Sequence, residues 1–552
     1  MNSKLLTLWR YYPSGNIRTE EIAETLQLSA KQTTRYLKKW QDEGWITFKS
    51  GRGRGNISTI IWKKEVEEVF EEEVLLRMDG ETVENSSKFL MYDWSTDSKM
   101  RLMNKFQTKL GFIQESKDKL IVPKRYPILT IHPLEAAEVV SANLVATIFN
   151  RLVALTEEGE IIPELAHSWD VSSTKLRLYL KKDIAFHDKS ILTPHDVKDC
   201  LDRLRNHKHY QELWKPIERI EIKGPLIVDL IHPNGCSYTL PLLSMLCASI
   251  YRESKDQVIG TGCFSLEENR DHKTTLLAFK EYFQERPLLD AVEFIKVPTD
   301  FKGAYHSHLE QTDSTSFQVE SDSGFGIVVM NVNRNTDIKR KEVRDYLHWI
   351  IAKERDSIHT CNSRMIPNHK SMLVGHHQNI AIQEVPRPMF TEPLVVRGAS
   401  HTADTTQWLV DILTKENIPI ELQWYSFADT VNKEAKTLNV DLFIHGEIFE
   451  MNQDFSFFHF LKNGFSPLYH ILPDHDELNR LLDSYLHTPF KSWSTLNRKV
   501  EKLLIEESIV IPLYYQKRYV PFSSDIMNIT IKHFGYVDFS KLWVRPNIDE
   551  VE

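Results

Sequence analysis

Arg52 and Arg54 stand between Gly51, Gly53 and Gly55 in the stretch FKSGRGRGN (48–56), with Lys49 as a third cation and no acid among the nine residues. Glycine lets a backbone turn tightly and approach phosphate, and guanidinium supplies the charge that a phosphate or a narrow minor groove attracts. Upstream, Lys31, Gln32, Thr34, Arg35 and Lys38 fall on one side of a helical pattern whose opposite stripe is Thr33, Tyr36, Leu37 and Trp40. Long donors on an acid-free helix face suit the major groove, where amide and guanidinium groups read base edges. The glycines do not form a P-loop, because no GK[ST] follows them and no helix opens there. The chemistry implied is contact with double-stranded DNA.

Other reactive groups form no comparable set. The chain has no GxSxG and no HExxH, and the histidines of HKH (207–209) and GHH (375–377) lack a carboxylate or cysteine at ligand spacing. GTGCFSLEEN is a glycine turn entering a strand, with no helix behind it to bind a dinucleotide. No catalytic residue, metal site or cofactor is expected, and the chain does not read as an enzyme. Cys200, Cys236, Cys247, Cys263 and Cys361 form no CxxC pair, which reads as reduced thiols in a cytosolic protein.

The elements that must position the basic residues follow from their surroundings. A chain of 552 residues exceeds one ordinary core, so two to four domains are expected. Residues 1–62 hold ten Lys+Arg against five Asp+Glu, although the whole chain carries −9. A basic head on an acidic body favours an anionic partner for the head. Thr19 is placed to cap a helix bearing Ile22, Ala23 and Leu26, and Ser29 with Gln32 forms a capping box for the next. Ile46 and Phe48, then Ile57, Thr59 and Ile61, read as two strands with the glycine tip between them. The expectation for 1–62 is a winged helix-turn-helix. Residues 63–115 read as a helical connector with Val66, Val69, Phe70 and Val74 on one side; the sharper alternative is a dimerisation helix, which would make a homodimer.

From 116 to 552 strands and helices alternate, an α/β pattern. IIPEL reads as a short proline-started helix, and Thr193 with Pro194 opens a longer one. MNSKLLTLWRYYP is interrupted by Arg10 with no cleavage site after it, and YTLPLLSMLCASIY is short and broken by Pro241. Neither a signal peptide nor a membrane span is expected.

Six landmarks in order resemble the family 5 extracytoplasmic solute-binding proteins, the dipeptide and oligopeptide receptors of ABC importers. They are GEIIPELAHSW, FHDKS with TPHDV, GTGCFSLEE, FKEYFQERPLLDAVEFIKVP, VVMNVNR with RKEVRDYLHWIIAKERD, and ESIVIPLYYQKRYV. A winged helix joined to such a body is similar to the SgrR family of transcriptional regulators. The resemblance implies a two-lobed, periplasmic-binding-protein-like (type II) α/β domain. Lobe I would comprise about 116–298 and 511–552, lobe II about 299–510, with crossings near Val297–Thr299 and Ile511–Leu513. It also implies a cytoplasmic regulator whose cleft senses a small molecule (a sugar phosphate, sugar or peptide). The rival reading is a receptor of an ABC peptide importer. Peptide-binding members hold the ligand's α-amine with an Asp in a DY.DP segment. In GEIFEMNQDFSFFHF, Asp454 matches the second Asp, Met451 stands at the amine-binding position and Glu450 is one residue out of register. Trp424, Tyr425, Glu450, Asn452, Asp454 and Tyr515 are the residues expected at the cleft, and Trp424, Tyr425, Asn452 and Tyr515 among them suit a neutral or hydroxylated solute. The family's turn glycine and the proline after GTG are Lys189 and Cys263 here.

Overall fold

The structure, a computed structural model, describes every residue except 52–56, 115–116, 157, 255–256, 302–315, 377–379, 427–428, 430–438, 450–451, 473–474, 524–525, 533–535 and 546–552. Arg52, Arg54, Glu450 and Met451 therefore lie outside the described residues.

The head comprises α1 (Ser3–Tyr11), β1 (Gly15–Ile17), α2 (Thr19–Thr25), α3 (Ala30–Asp42), β2 (Ile46–Lys49) and β3 (Ser58–Trp62). Its three strands pair antiparallel in the order β1-β3-β2. Ser29 and Gln32 cap α3 reciprocally, as their spacing predicts. Two details differ from expectation. Arg18, not Thr19, holds the N-cap of α2, where its N–H donates to the Glu21 carboxylate at 3.4 Å. In β3 the inward residues are Ser58 and Ile60, while Ile57 and Ile61 are exposed. Pairing of Ile17 with Ser58 and of Gly15 with Ile60 sets that phase, and a shift of one residue exchanges the faces of a strand.

Three helices follow: α4 (Val66–Gly80), α5 (Val83–Leu90) and α6 (Thr96–Gln107). Val66, Phe70 and Val74 are buried as the pattern requires, whereas Val69 is exposed. One apolar cluster holds Leu5, Leu37, Trp40 and Ile60 of the head, Phe70, Leu102 and Phe106 of these helices, and Ile121, Ile295, Val297 and Phe301 of the body. Trp45 meets Phe70 edge-on at 5.3 Å, and Phe106 meets Phe301 likewise at 6.0 Å. Lys99 pairs with Asp300 at 2.6 Å, and Arg101 pairs with Glu71. Head, helices and first lobe thus share a core.

The first lobe contains β4 (Gly111–Gln114), β5 (Asp118–Lys124), the hairpin β6 (Val153–Leu155) and β7 (Ile161–Pro163), β8 (Ala166–Val171), β9 (Lys175–Leu180), β10 (Arg219–Gly224) and β11 (Ile227–Ile231). After a second hairpin, β12 (Arg252–Ser254) and β13 (Gln257–Ile259), come β14 (Phe264–Asn269), β15 (Lys273–Ala278) and β16 (Ala291–Lys296). They build sheets of order β10-β11-β9-β8 and β14-β15-β16-β5-β4. Helices α7 (Val139–Ile148), α8 (Pro194–Arg205), α9 (Gln211–Trp214) and α10 (Thr239–Ser244) pack with them. Thr193 caps α8 through Asp196, but the helix expected at IIPEL is the strand β7, paired with β6. Glycine is required at 260 and 262, where a Cβ would come within 2.2 Å of the Ile148 carbonyl oxygen and 2.4 Å of its carbon. Lys189 stands in the left-handed region, at φ 69°.

The second lobe contains β17 (Ser316–Met330), α11 (Lys341–Glu354), β18 (Met365–Pro367), β19 (Leu394–Ala399), α12 (Ala403–Lys415), β20 (Ile420–Tyr425), β21 (Leu442–Glu447) and β22 (Val510–Ser523). The sheet order is β18-β22-β17-β21-β19-β20, with β19 parallel to both β20 and β21. Ile511 and Leu513, expected at a crossing, are buried in this lobe's core, because β22 stays paired with β17 through Gln516 and beyond. The lobes touch through aromatic rings. His209 stacks on Phe465 at 3.9 Å, and Tyr238 lies edge-on to Phe458 at 5.1 Å.

Candidate functional site

The first candidate surface is the outward face of α3. Lys31, Gln32, Thr34, Arg35 and Lys38 are all exposed, and Thr33, Leu37 and Trp40 are buried. Among the described residues, Lys31, Arg35 and Lys38 have no acidic partner; the ion pair on this helix is Lys39 with Glu43. Gln32 spends its carbonyl on the N-cap, accepting from the Ser29 N–H at 3.0 Å, so only its amide N–H groups are left to reach outward. Thr34 donates its hydroxyl to the Ala30 carbonyl at 3.0 Å. Below the tip, the Gly51 N–H donates to Ser58 Oγ at 3.2 Å and closes the hairpin.

The second is the end of the second lobe's sheet where β19, β20 and β21 finish. Trp424, next to last in β20, is 54% exposed, its indole resting on the backbone at Gly398, where a Cβ would meet Cε3 at 2.8 Å. Tyr425, half-buried, donates its hydroxyl to Gln423 Oε1 at 3.1 Å. Asn452 caps the helix Gln453–Lys462 by accepting from the Phe455 N–H, and its Nδ2 would lie 3.5 Å from a Cβ at Gly159 in the first lobe. Asp454 and Tyr515 are engaged in bracing the fold. Asp454 accepts from Asn497 Nδ2 at 2.9 Å, Asn497 accepts from the Tyr485 hydroxyl at 2.5 Å, and burial raises the Asp454 carboxyl. The Tyr515 hydroxyl lies against the carbonyls of Ser371 (2.5 Å) and Leu373 (3.0 Å). Fully buried Glu501 holds the same segment through Ser371 and the Met372 N–H.

Sequence reasoning missed Arg397. It is 5% exposed, and its guanidinium lies 3.8 Å from the centre of the Phe443 ring, its neighbour in register on β21. Among the described residues it donates no hydrogen bond and meets no carboxylate. Burial pulls it down to about 10, which leaves it charged near neutrality. The overlooked signal was a cation inside LVVRGA, an otherwise apolar strand entering a helix. Nearby are His401 and His445. His401 is open to solvent on one side, yet its imidazole is lowered by desolvation first and then by Arg397 and His445. His445 stacks on Phe460 at 5.6 Å, and its Nε2 lies 3.1 Å from Glu447 Oε2.

Two families match parts of this chain. Residues 3–110 match the family described as sugar transport-related sRNA regulator N-term, and residues 160–304 match bacterial extracellular solute-binding proteins, family 5 middle. The chain is 24% identical to the HTH-type transcriptional regulator SgrR of Photorhabdus laumondii, across 99% of both chains. The architecture is similar to that of SgrR. The chain is also 24% identical to YhjP of Bacillus subtilis over 97% of each. Among solved structures, the periplasmic binding protein DppA from Helicobacter pylori superposes with a TM-score of 0.64 at 16% identity, covering 78% of this chain and 98% of that one. That likeness establishes the two-lobed fold of the body. No described helix is long and apolar enough to cross a membrane.

Proposed function

We propose that the chain is a DNA-binding transcriptional regulator in which residues 1–62 contact duplex DNA, 63–115 connect, and the two-lobed body from about 116 to 552 senses a small molecule. The reading is carried by the acid-free, exposed face of α3 on a head that shares its core with the first lobe. Relatives named as regulators across the full length support it. Such a regulator works in the cytoplasm.

In this reading Lys31, Gln32, Thr34, Arg35 and Lys38 face the major groove, and Arg52 and Arg54 hold phosphates. Trp424, Tyr425 and Asn452 border the ligand, while Asp454 and Tyr515 keep its walls in place. Closure of the lobes reaches the head through the segment after β16. There, Val297 and Phe301 pack with Phe106, and Asp300 pairs with Lys99. A ligand that binds the closed form better would shift that equilibrium.

Salt-dependent binding of the full chain to duplex DNA tests the first half. Arg52→Ala with Arg54→Ala is expected to weaken binding to every sequence and lower the salt slope by roughly two, since each phosphate contact adds slightly under one. Arg35→Ala is expected to relax preference at one base pair, at a cost of about 1–3 kcal/mol. An unchanged slope removes the tip from the interface. Wild-type protein found outside the cell membrane and indifferent to DNA would favour the importer-receptor reading.

A further inference from the structure

We propose that Arg397 anchors an anionic group, a carboxylate or a phosphate monoester, on the molecule held between the lobes. This deepens the ligand-sensing reading above and rests on it.

Native proteins pair a buried charge with an acceptor, because an uncompensated one is costly. Among the described residues Arg397 has no such acceptor; Phe443 offers a ring face, which orients the flat guanidinium but leaves its N–H fork unused. Two carboxylates near this strand end have other partners: Glu447 lies against His445, and Glu421 accepts from the Gln423 amide at 2.8 Å. A fork held in one plane is matched to two oxygens of a carboxylate or phosphate.

The position supports the same conclusion. β19, β20 and β21 run parallel and end together at Ala399, Tyr425 and Glu447, and open α/β sheets take ligands outside the carboxyl ends of their strands. β17 and β22 run on past that edge, paired from Ser316 with Ser523 to Ser321 with Arg518, and the chain beyond them reaches the first lobe, where Phe539 packs on Phe294. His401, held down by desolvation and by the Arg397 charge, would gain from an anion beside it, and the Tyr425 phenol is within electrostatic reach of Arg397. α12 opens at Ala403 with no side chain capping its first N–H groups, although Asp404 occupies its first turn. Trp424 and His401 are exposed, which leaves the site open to solvent. The neutral solute expected from Met451 is replaced here by a charged one.

Thermal melting of the full chain with matched probes tests this. The pairs are glucose 6-phosphate against glucose, and N-acetyl-dialanine against its carboxamide, with inorganic phosphate as the bare anion. The charged member of one pair is expected to raise the Tm, its neutral partner is not, and the responsive pair tells phosphate from carboxylate. In Arg397→Met the shift is expected to vanish, while the unliganded protein melts at or above the wild-type temperature because the lost charge had no partner. Arg397→Lys is expected to keep part of the shift. An anion shift that survives in Arg397→Met overturns the proposal, as does a wild type unmoved by every charged probe. Unliganded Arg397→Met melting well below wild type, with Arg397→Lys restoring it, would show that the cation holds the fold instead. DNA binding is read separately, so its failure would sink the regulator and leave this test standing.

Discussion

The two cationic regions of this chain differ in what surrounds the charge. On α3, Lys31, Arg35 and Lys38 stand in solvent, fully hydrated and screened by salt. At the end of β19, Arg397 is covered, rests on Phe443 and has no anion from the described chain. A solvated patch gathers a polyanion from a distance and adds little to folding. A covered charge is costly to the unliganded fold, and a partner can return that cost on binding. On the reading proposed above, the same residue type would serve attraction in one place and selection in the other.

A buried imidazole can escape this cost by shedding its proton, which guanidinium cannot do. His348 on α11 is 2% exposed, with Nδ1 3.1 Å from Ser508 Oγ, and desolvation followed by the Arg355 charge pushes it down to about 3 from an ordinary 6.5. Between those values the unfolded chain binds the proton and the folded one does not. Stability, fully present above 6.5, should therefore fall as pH drops toward 3, by about 1.4 kcal/mol per pH unit for this group. Urea midpoints measured across that range check it, and His348→Gln should flatten the profile. An unchanged profile would mean that the ring is not held neutral.

Reversing the exposed charges is the next largest effect. Arg35→Glu with Lys38→Glu should weaken DNA binding by roughly 100-fold or more, about 3 kcal/mol. Exposed sites of this kind leave the melting free energy within about 0.5 kcal/mol. Binding by anisotropy and melting by circular dichroism would be compared on the same preparations, and a collapse of the Tm would show that the face is not merely solvated.

The smallest effect is the sharpest test of the contrast. Gln423 is the register neighbour of Arg397 on β20. Gln423→Glu places a carboxylate across the strands from the guanidinium but also sets it against Glu421, to which the Gln423 amide now donates, so the unliganded protein should stay within about 1 kcal/mol of the wild type. The same change should abolish the anion-induced Tm shift. If the shift persists, the guanidinium is answering to something other than its missing counter-ion.

Much of the head was legible because its cues are local. The Ser29–Gln32 spacing, the stripe ending at Trp40 and the donor face of α3 lie within one helix. The phase of β3 was not legible, since β1, which sets it, is only three residues long and follows a helix that the pattern had not revealed. In the body, the order of landmarks gave the two lobes, but the cleft resisted. Asp454 and Tyr515 have the right types for ligand contact and are committed to Asn497 and the 371–373 backbone. Arg397 escaped notice because neither its burial nor its lack of an acceptor is written in neighbouring residues. Both depend on neighbouring strands whose register partners, Gln423 and Phe443, lie 26 and 46 residues further along the chain.

The core shared by the head, α4–α6 and the first lobe bears on how such a protein could be recombined. A chimera joined at residue 62 would put a foreign surface against Phe70 and Val74. One joined after α6 would keep that surface but lose the fit between Phe106 and Phe301. A head taken from a relative would arrive with half of another protein's interior. Exchange of specificity between such regulators should therefore proceed by rewriting the outer face of α3 and the glycine–arginine stretch, residue by residue, while the buried joint stays as it is.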